Sequence, residues 1–85
     1  MAENDIMMYG TDWCSDCVRA RKFFDKHQVA YVWINIDHDP EAEQWVKKAN
    51  QGFRSVPTIV FPDSSILVEP SNQQLAEKLQ IQTPN

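Results

Sequence analysis

Hydrophobic positions fall in short blocks separated by turn-forming residues, and their spacing changes from block to block. The continuous apolar run from Ile6 to Tyr9, broken by Gly10-Thr11-Asp12, predicts a short buried strand with a turn at its end. From Ser15 to His27 the apolar residues Val18, Ala20, Phe23 and Phe24 fall near helical spacing, with Arg19, Arg21, Lys22 and Lys26 between them. Most of those cations sit late in the segment, where they suit the negative end of a helix. Ala30 to Ile36 is β-branched and aromatic, which predicts a second strand. Asp39 then suits a helix N-cap and Pro40 the first helical position. Ala42, Trp45, Val46 and Ala49 repeat at i, i+3, i+4 and i+7, and Asn50-Gln51-Gly52 closes this second helix.

Past Gly52, Pro57 to Phe61 and Ile66 to Val68 read as two strands around Pro62-Asp63-Ser64-Ser65, a connection short enough to force them antiparallel. Ser71-x-x-Gln74 is a capping-box pattern, and Leu75, Ala76 and Leu79 supply the apolar stripe of a third helix. The predicted order is β-α-β-α-β-β-α. A right-handed βαβ unit makes the first two strands parallel, so the expected fold is an α/β sandwich of three layers around one four-stranded mixed sheet. At 85 residues the chain is expected to form a single domain over 1–85, since half of it could not bury a core.

Composition narrows the function. Eight Lys+Arg against twelve Asp+Glu give a net charge of −4, which leaves no cationic excess for nucleic acid or an anionic bilayer. No apolar run approaches the length of a spanning helix, and Met1 to Asp5 lacks the basic start and apolar stretch of a secretory signal. A soluble, cytoplasmic monomer is expected.

The two cysteines carry the chemistry. Cys14-Ser15-Asp16-Cys17 opens the first helix directly after the first strand. Unpaired N–H groups and the positive end of the helix dipole favour a thiolate at Cys14, the expected nucleophile. The i, i+3 spacing brings Cys17 to the same helix face as the resolving thiol. Asp12 and Asp16 place negative charge beside the sulfur and oppose the dipole; Asp16 also reads as an acidic residue stabilising the first helical turn. Half of a zinc site and a pair of inert buried thiols are the other readings of the motif. Zinc needs two further ligands, and His27 and His38 fit no common spacing, so no metal is expected.

Val56-Pro57 is the second informative site. A proline heading an interior strand forfeits a ladder hydrogen bond, and a cis bond there would turn the Val56 backbone toward an extended substrate lying beside Cys14. An ordinary edge-strand proline is the alternative. Trp13 reads either as recognition surface beside the nucleophile or as packing, whereas Trp33 and Trp45 read as packing.

Tyr9-Gly10-Thr11-Asp12-Trp13-Cys14-Ser15-Asp16-Cys17, Tyr31-x-x-Ile34-Asn35-Ile36-Asp37-x-Asp39-Pro40-Glu41 and Gly52-Phe53-Arg54-Ser55-Val56-Pro57 together resemble a glutaredoxin-like protein of the thioredoxin fold. The resemblance implies a thiol-disulfide oxidoreductase without a resident cofactor, acting on disulfide-bearing proteins with an external thiol as co-substrate. It also implies that Val56 and Pro57 clamp a bound thiol, that Arg54 meets one carboxylate of glutathione, and that Ser71-Asn72 at the start of the last helix meets another. Guanidinium and helix-start N–H groups are anion binders.

Several positions depart from the glutathione-using pattern. Ser15-Asp16 replaces Pro-Tyr, the basic residue before the motif is missing, Val68-Glu69 replaces a glycine pair, and Asn72 replaces an acidic residue. Trp13-Cys14 with Pro70-Ser71 looks more like the mycoredoxin branch, which uses mycothiol. A further reading is an electron donor to ribonucleotide reductase, recharged by thioredoxin reductase. From a different class comes an interaction module of the same fold with idle cysteines.

Overall fold

The computed structural model describes residues 5–81. Its elements are β1 (Met7–Gly10), α1 (Ser15–Lys26), β2 (Val32–Asn35), a 3₁₀ turn (Ile36–His38), α2 (Pro40–Ala49), β3 (Thr58–Val60), β4 (Ile66–Val68) and α3 (Asn72–Leu79). The sheet runs in the order β2-β1-β3-β4. β1 pairs parallel with β2, setting Gly10 opposite Asn35, and antiparallel with β3, setting Met8 opposite Ile59; β3 and β4 are antiparallel. This is the expected four-stranded mixed sheet, with the elements in the expected β-α-β-α-β-β-α order along the chain. β2 and β3 are shorter than the predicted runs, β4 matches its run, and β1 is displaced by one residue, to Met7–Gly10 from the expected Ile6 to Tyr9.

Side chains alternate across β1 and so feed two cores. Met8 joins Ala20, Phe23 and Phe24 of α1, Ile59, and Leu75 and Ala76 of α3 on one face of the sheet. Tyr9 and Ile34 pack on the other face against Ile36, Ala42 and Val46. Arg21 lies 4.1 Å over the half-buried Trp33 ring, and Tyr9 stacks on Trp45 with ring centroids 4.6 Å apart, although Trp45, like Ala49 of the same predicted stripe, is exposed. Val18 departs from the predicted stripe. It is exposed, and the inward face of α1 is Cys17, Ala20, Phe23 and Phe24.

The helix starts follow the sequence signals. Asp39 caps α2, its carboxylate accepting from the Ala42 N–H at 3.1 Å, with Pro40 in the first turn. Ser71 and Gln74 close a reciprocal capping box on α3, at 3.1 and 2.8 Å.

Candidate active site

β1 ends at Gly10, and after three intervening residues the chain enters α1 with Cys14 as N-cap in extended backbone conformation. An N-cap side chain lies beside the unpaired N–H groups of the first turn. Accordingly the Cys14 sulfur accepts the Cys17 N–H at 3.2 Å, and it donates to the Val56 carbonyl at 3.7 Å. The Val56–Pro57 bond is cis, and Pro57 is buried. The two segments singled out from sequence, far apart along the chain, therefore meet at one sulfur.

Cys14 is half-buried, Cys17 is fully buried, and both are free thiols. Gly10 makes room for Cys17: a Cβ at Gly10 would stand 2.6 Å from the Cys17 sulfur and 2.8 Å from the Trp33 ring. Burial pushes the Cys17 thiol up to about 12, helped by its hydrogen bond with Cys14 and the nearby charge of Asp16, and opposed by a hydrogen bond from the Thr11 backbone. Cys17 is thus held as a neutral thiol next to a sulfur that already accepts the Cys17 backbone N–H.

Asp12 and Asp16 both have partners. Asp12 accepts from the Asn35 amide at 3.1 Å, and Asp16 pairs with Arg19 at 3.2 Å. Arg19 also donates to Asn72 at 3.0 Å and to the Pro70 carbonyl at 3.1 Å, tying α1 to the start of α3. Of the residues expected at a thiol-binding surface, Ser71 and Asn72 are therefore engaged within the chain, by the capping box and by Arg19.

Arg54 is engaged as well. Its Nε meets Glu43 of α2 at 2.5 Å and its Nη2 meets Asp37 of the 3₁₀ turn. The other oxygen of Asp37 accepts the indole N–H of Trp13 at 2.9 Å. Arg54 holds both carboxyls below their usual range, most directly by hydrogen bonding, and the Trp13 bond adds to this at Asp37; the guanidinium is raised in return by Glu43 first and Asp37 second. Trp13 remains 69% exposed despite this bond, which makes it surface beside Cys14 rather than packing.

Asp37, Glu43 and Arg19 are not among the site residues expected from the sequence. For Asp37 a signal was present: β1 and β2 are parallel and adjacent, so residues that follow their C-terminal ends emerge side by side, and Trp13 and Asp37 are two such residues. Among the described residues, no three His, Cys, Asp or Glu side chains gather to hold a metal ion, and no helix is long and apolar enough to cross a membrane.

A half-exposed thiol at a helix start, a buried thiol one turn on, and a carbonyl facing the first sulfur form a dithiol site able to exchange with a disulfide. The glutaredoxin family model matches residues 6–66. The chain is 34% identical to mycoredoxin 1 of Corynebacterium glutamicum over 77 residues, covering 91% of this chain and 95% of that protein. It is 33% identical over 58 residues to the glutaredoxin-like protein NrdH of Lactococcus lactis, covering 68% of this chain and 78% of that one. The crystal structure of a thioredoxin-like protein superposes with a TM-score of 0.79 at 23% identity, covering 92% of this chain and 97% of the other, so the fold is thioredoxin-like.

Proposed function

The chain belongs to the glutaredoxin family of thiol-disulfide oxidoreductases, and from that premise we propose that it reduces protein disulfides and mixed disulfides through Cys14, with Cys17 as the resolving thiol. The Cys14 thiolate attacks one sulfur of the substrate disulfide. A new bond forms between Cys14 and that sulfur, the substrate S–S bond breaks, and the departing thiolate takes up a proton. Cys17 then gives up its proton and attacks Cys14, closing the intramolecular disulfide and releasing the second substrate thiol. Two electrons pass to the substrate, and two equivalents of an external thiol, or a reductase, restore the dithiol. The observation that carries this reading is the position of the Cys14 sulfur between the Cys17 N–H and the Val56 carbonyl.

Glutaredoxins use a thiol co-substrate rather than a prosthetic group. We propose mycothiol rather than glutathione here. Glutathione brings two carboxylates, whereas Arg54 is already matched by Asp37 and Glu43, and Glu69 adds a repelling charge before α3. A thiol without carboxylates meets neither obstacle. A second reading, electron donation to ribonucleotide reductase with recharging by thioredoxin reductase, is favoured by the likeness to the Lactococcus lactis protein. Disulfide-bearing proteins are the clients in either case. We place the chain in the cytoplasm as a single-domain monomer, where thiols are kept reduced and no nucleic acid or membrane is engaged.

A coupled assay offering mycothiol, glutathione and thioredoxin reductase as separate electron sources tests these readings. Turnover with mycothiol and its reductase is expected, and turnover with thioredoxin reductase alone selects the second reading. Cys14→Ser is expected to abolish turnover with every source; retained turnover would remove Cys14 from the mechanism, and a fold that never turns over would be an interaction module.

A further inference from the structure

An exposed tryptophan ordinarily samples several rotamers, and its orientation is fixed only when the ring packs or the indole N–H has a strong acceptor. Trp13 has little packing, yet its N–H ends on a carboxylate, and hydrogen bonds to charged acceptors are stronger than those to neutral ones. The carboxylate is itself fixed. Asp37 divides its two oxygens, Oδ2 to the indole and Oδ1 to Arg54, and Arg54 continues to Glu43 on the body of α2. Arg54 also stands two residues before Val56, whose carbonyl faces Cys14. The residue just before the nucleophile is thus linked by polar contacts to Arg54, which the backbone joins to Val56 two residues on.

We propose that Asp37 is a positioning residue for disulfide exchange: it fixes the Trp13 indole beside Cys14, and Arg54 and Glu43 hold it in place. An incoming peptide disulfide then meets an aromatic surface of set orientation on one side and the Val56 backbone on the other. Arg54 serves as a strut in this arrangement rather than as the receptor of a substrate carboxylate. The inference rests on the reading of Cys14 as nucleophile, and it concerns docking of the substrate rather than the reactivity of the sulfur.

Three measurements test it. In the ¹⁵N–¹H spectrum of the intact chain, the indole signal of Trp13 is identified by its loss in Trp13→Phe. Asp37→Ala is expected to shift that signal and speed its exchange with water, and Asp37→Glu to restore it in part. In steady-state reduction of a protein disulfide such as insulin, Asp37→Ala is expected to raise KM about two- to ten-fold, the fold-change of one lost hydrogen bond. Alkylation of Cys14 by iodoacetamide should keep its rate. The KM effect should vanish when Asp37→Ala is made in a Trp13→Ala background, because Asp37 acts through the indole. An unmoved indole signal, or an Asp37→Ala effect of full size without Trp13, overturns the proposal. The indole signal is read without substrate, so this failure is separate from the Cys14→Ser test of the reductase reading.

Discussion

The backbone N–H of Cys17 donates to the sulfur of Cys14 at 3.2 Å, so the two residues expected to exchange a covalent bond already share a hydrogen bond at the start of α1. Their sulfurs are nevertheless unequal. Cys14 reaches solvent, while burial holds Cys17 as a thiol up to about 12. At pH 7 such a thiol carries roughly three orders of magnitude less thiolate than an ordinary one near 8.5. Limiting iodoacetamide is therefore expected to label Cys14 almost alone, as read by peptide mass mapping. Comparable labelling at Cys17 in the folded chain would contradict its burial.

The same group makes an alkaline limb in stability. A thiol raised from about 8.5 in the unfolded chain to about 12 in the fold stabilises the native state fully below the lower value. That contribution disappears as pH rises between the two. Thermal unfolding followed from pH 8 to 11 should show Cys17→Ala losing less stability than the parent chain.

Gly10→Ala places a methyl group against the Cys17 sulfur and the Trp33 ring at separations no packed atoms tolerate. Overpacking of this kind costs about 1–3 kcal/mol. The variant should melt lower, and closure of the Cys14–Cys17 disulfide by an added oxidant should slow because the buried sulfur is displaced.

Arg54 gives an acid limb of opposite sign. It depresses Asp37 and Glu43, so their contribution is present above the unfolded carboxylate range near 4 and is lost as pH falls through the lower native values. Arg54→Met should therefore lose less stability than the parent on acidification from about pH 5 to pH 2. Both carboxylates are partly exposed, so added salt should shrink the difference.

Asp39→Ala removes the α2 cap and leaves the Ala42 N–H without its side-chain acceptor. The expected cost is about 1 kcal/mol. In a domain of this size that lowers Tm by roughly 4–8 °C, measurable by circular dichroism.

Local signals made much of this molecule legible. Asp39-Pro40 and the Ser71-Gln74 pair mark where helices begin, and each does so through contacts within a few residues. The C-x-x-C and Val-Pro segments were legible for the same reason, since each type has few physical uses at that spacing. Arg54 was not, because its partners lie eleven and seventeen residues back in the chain and are chosen by where α2 and the 3₁₀ turn cross the loop. Val18 misled for a related reason: the apolar count at helical spacing left Cys17 out of the inward face, although a thiol packs as a small apolar group.

β1 lies between β2 and β3, and its partner on the second side is separated from it by most of the chain. On the ribosome, where residues emerge in order, β1 can pair with β2 while its other edge still waits. The Val56 carbonyl comes within reach of Cys14 only when β3 docks on that edge. A chain in which β3 has not yet docked therefore holds the Cys14 sulfur with one wall of its surroundings still open.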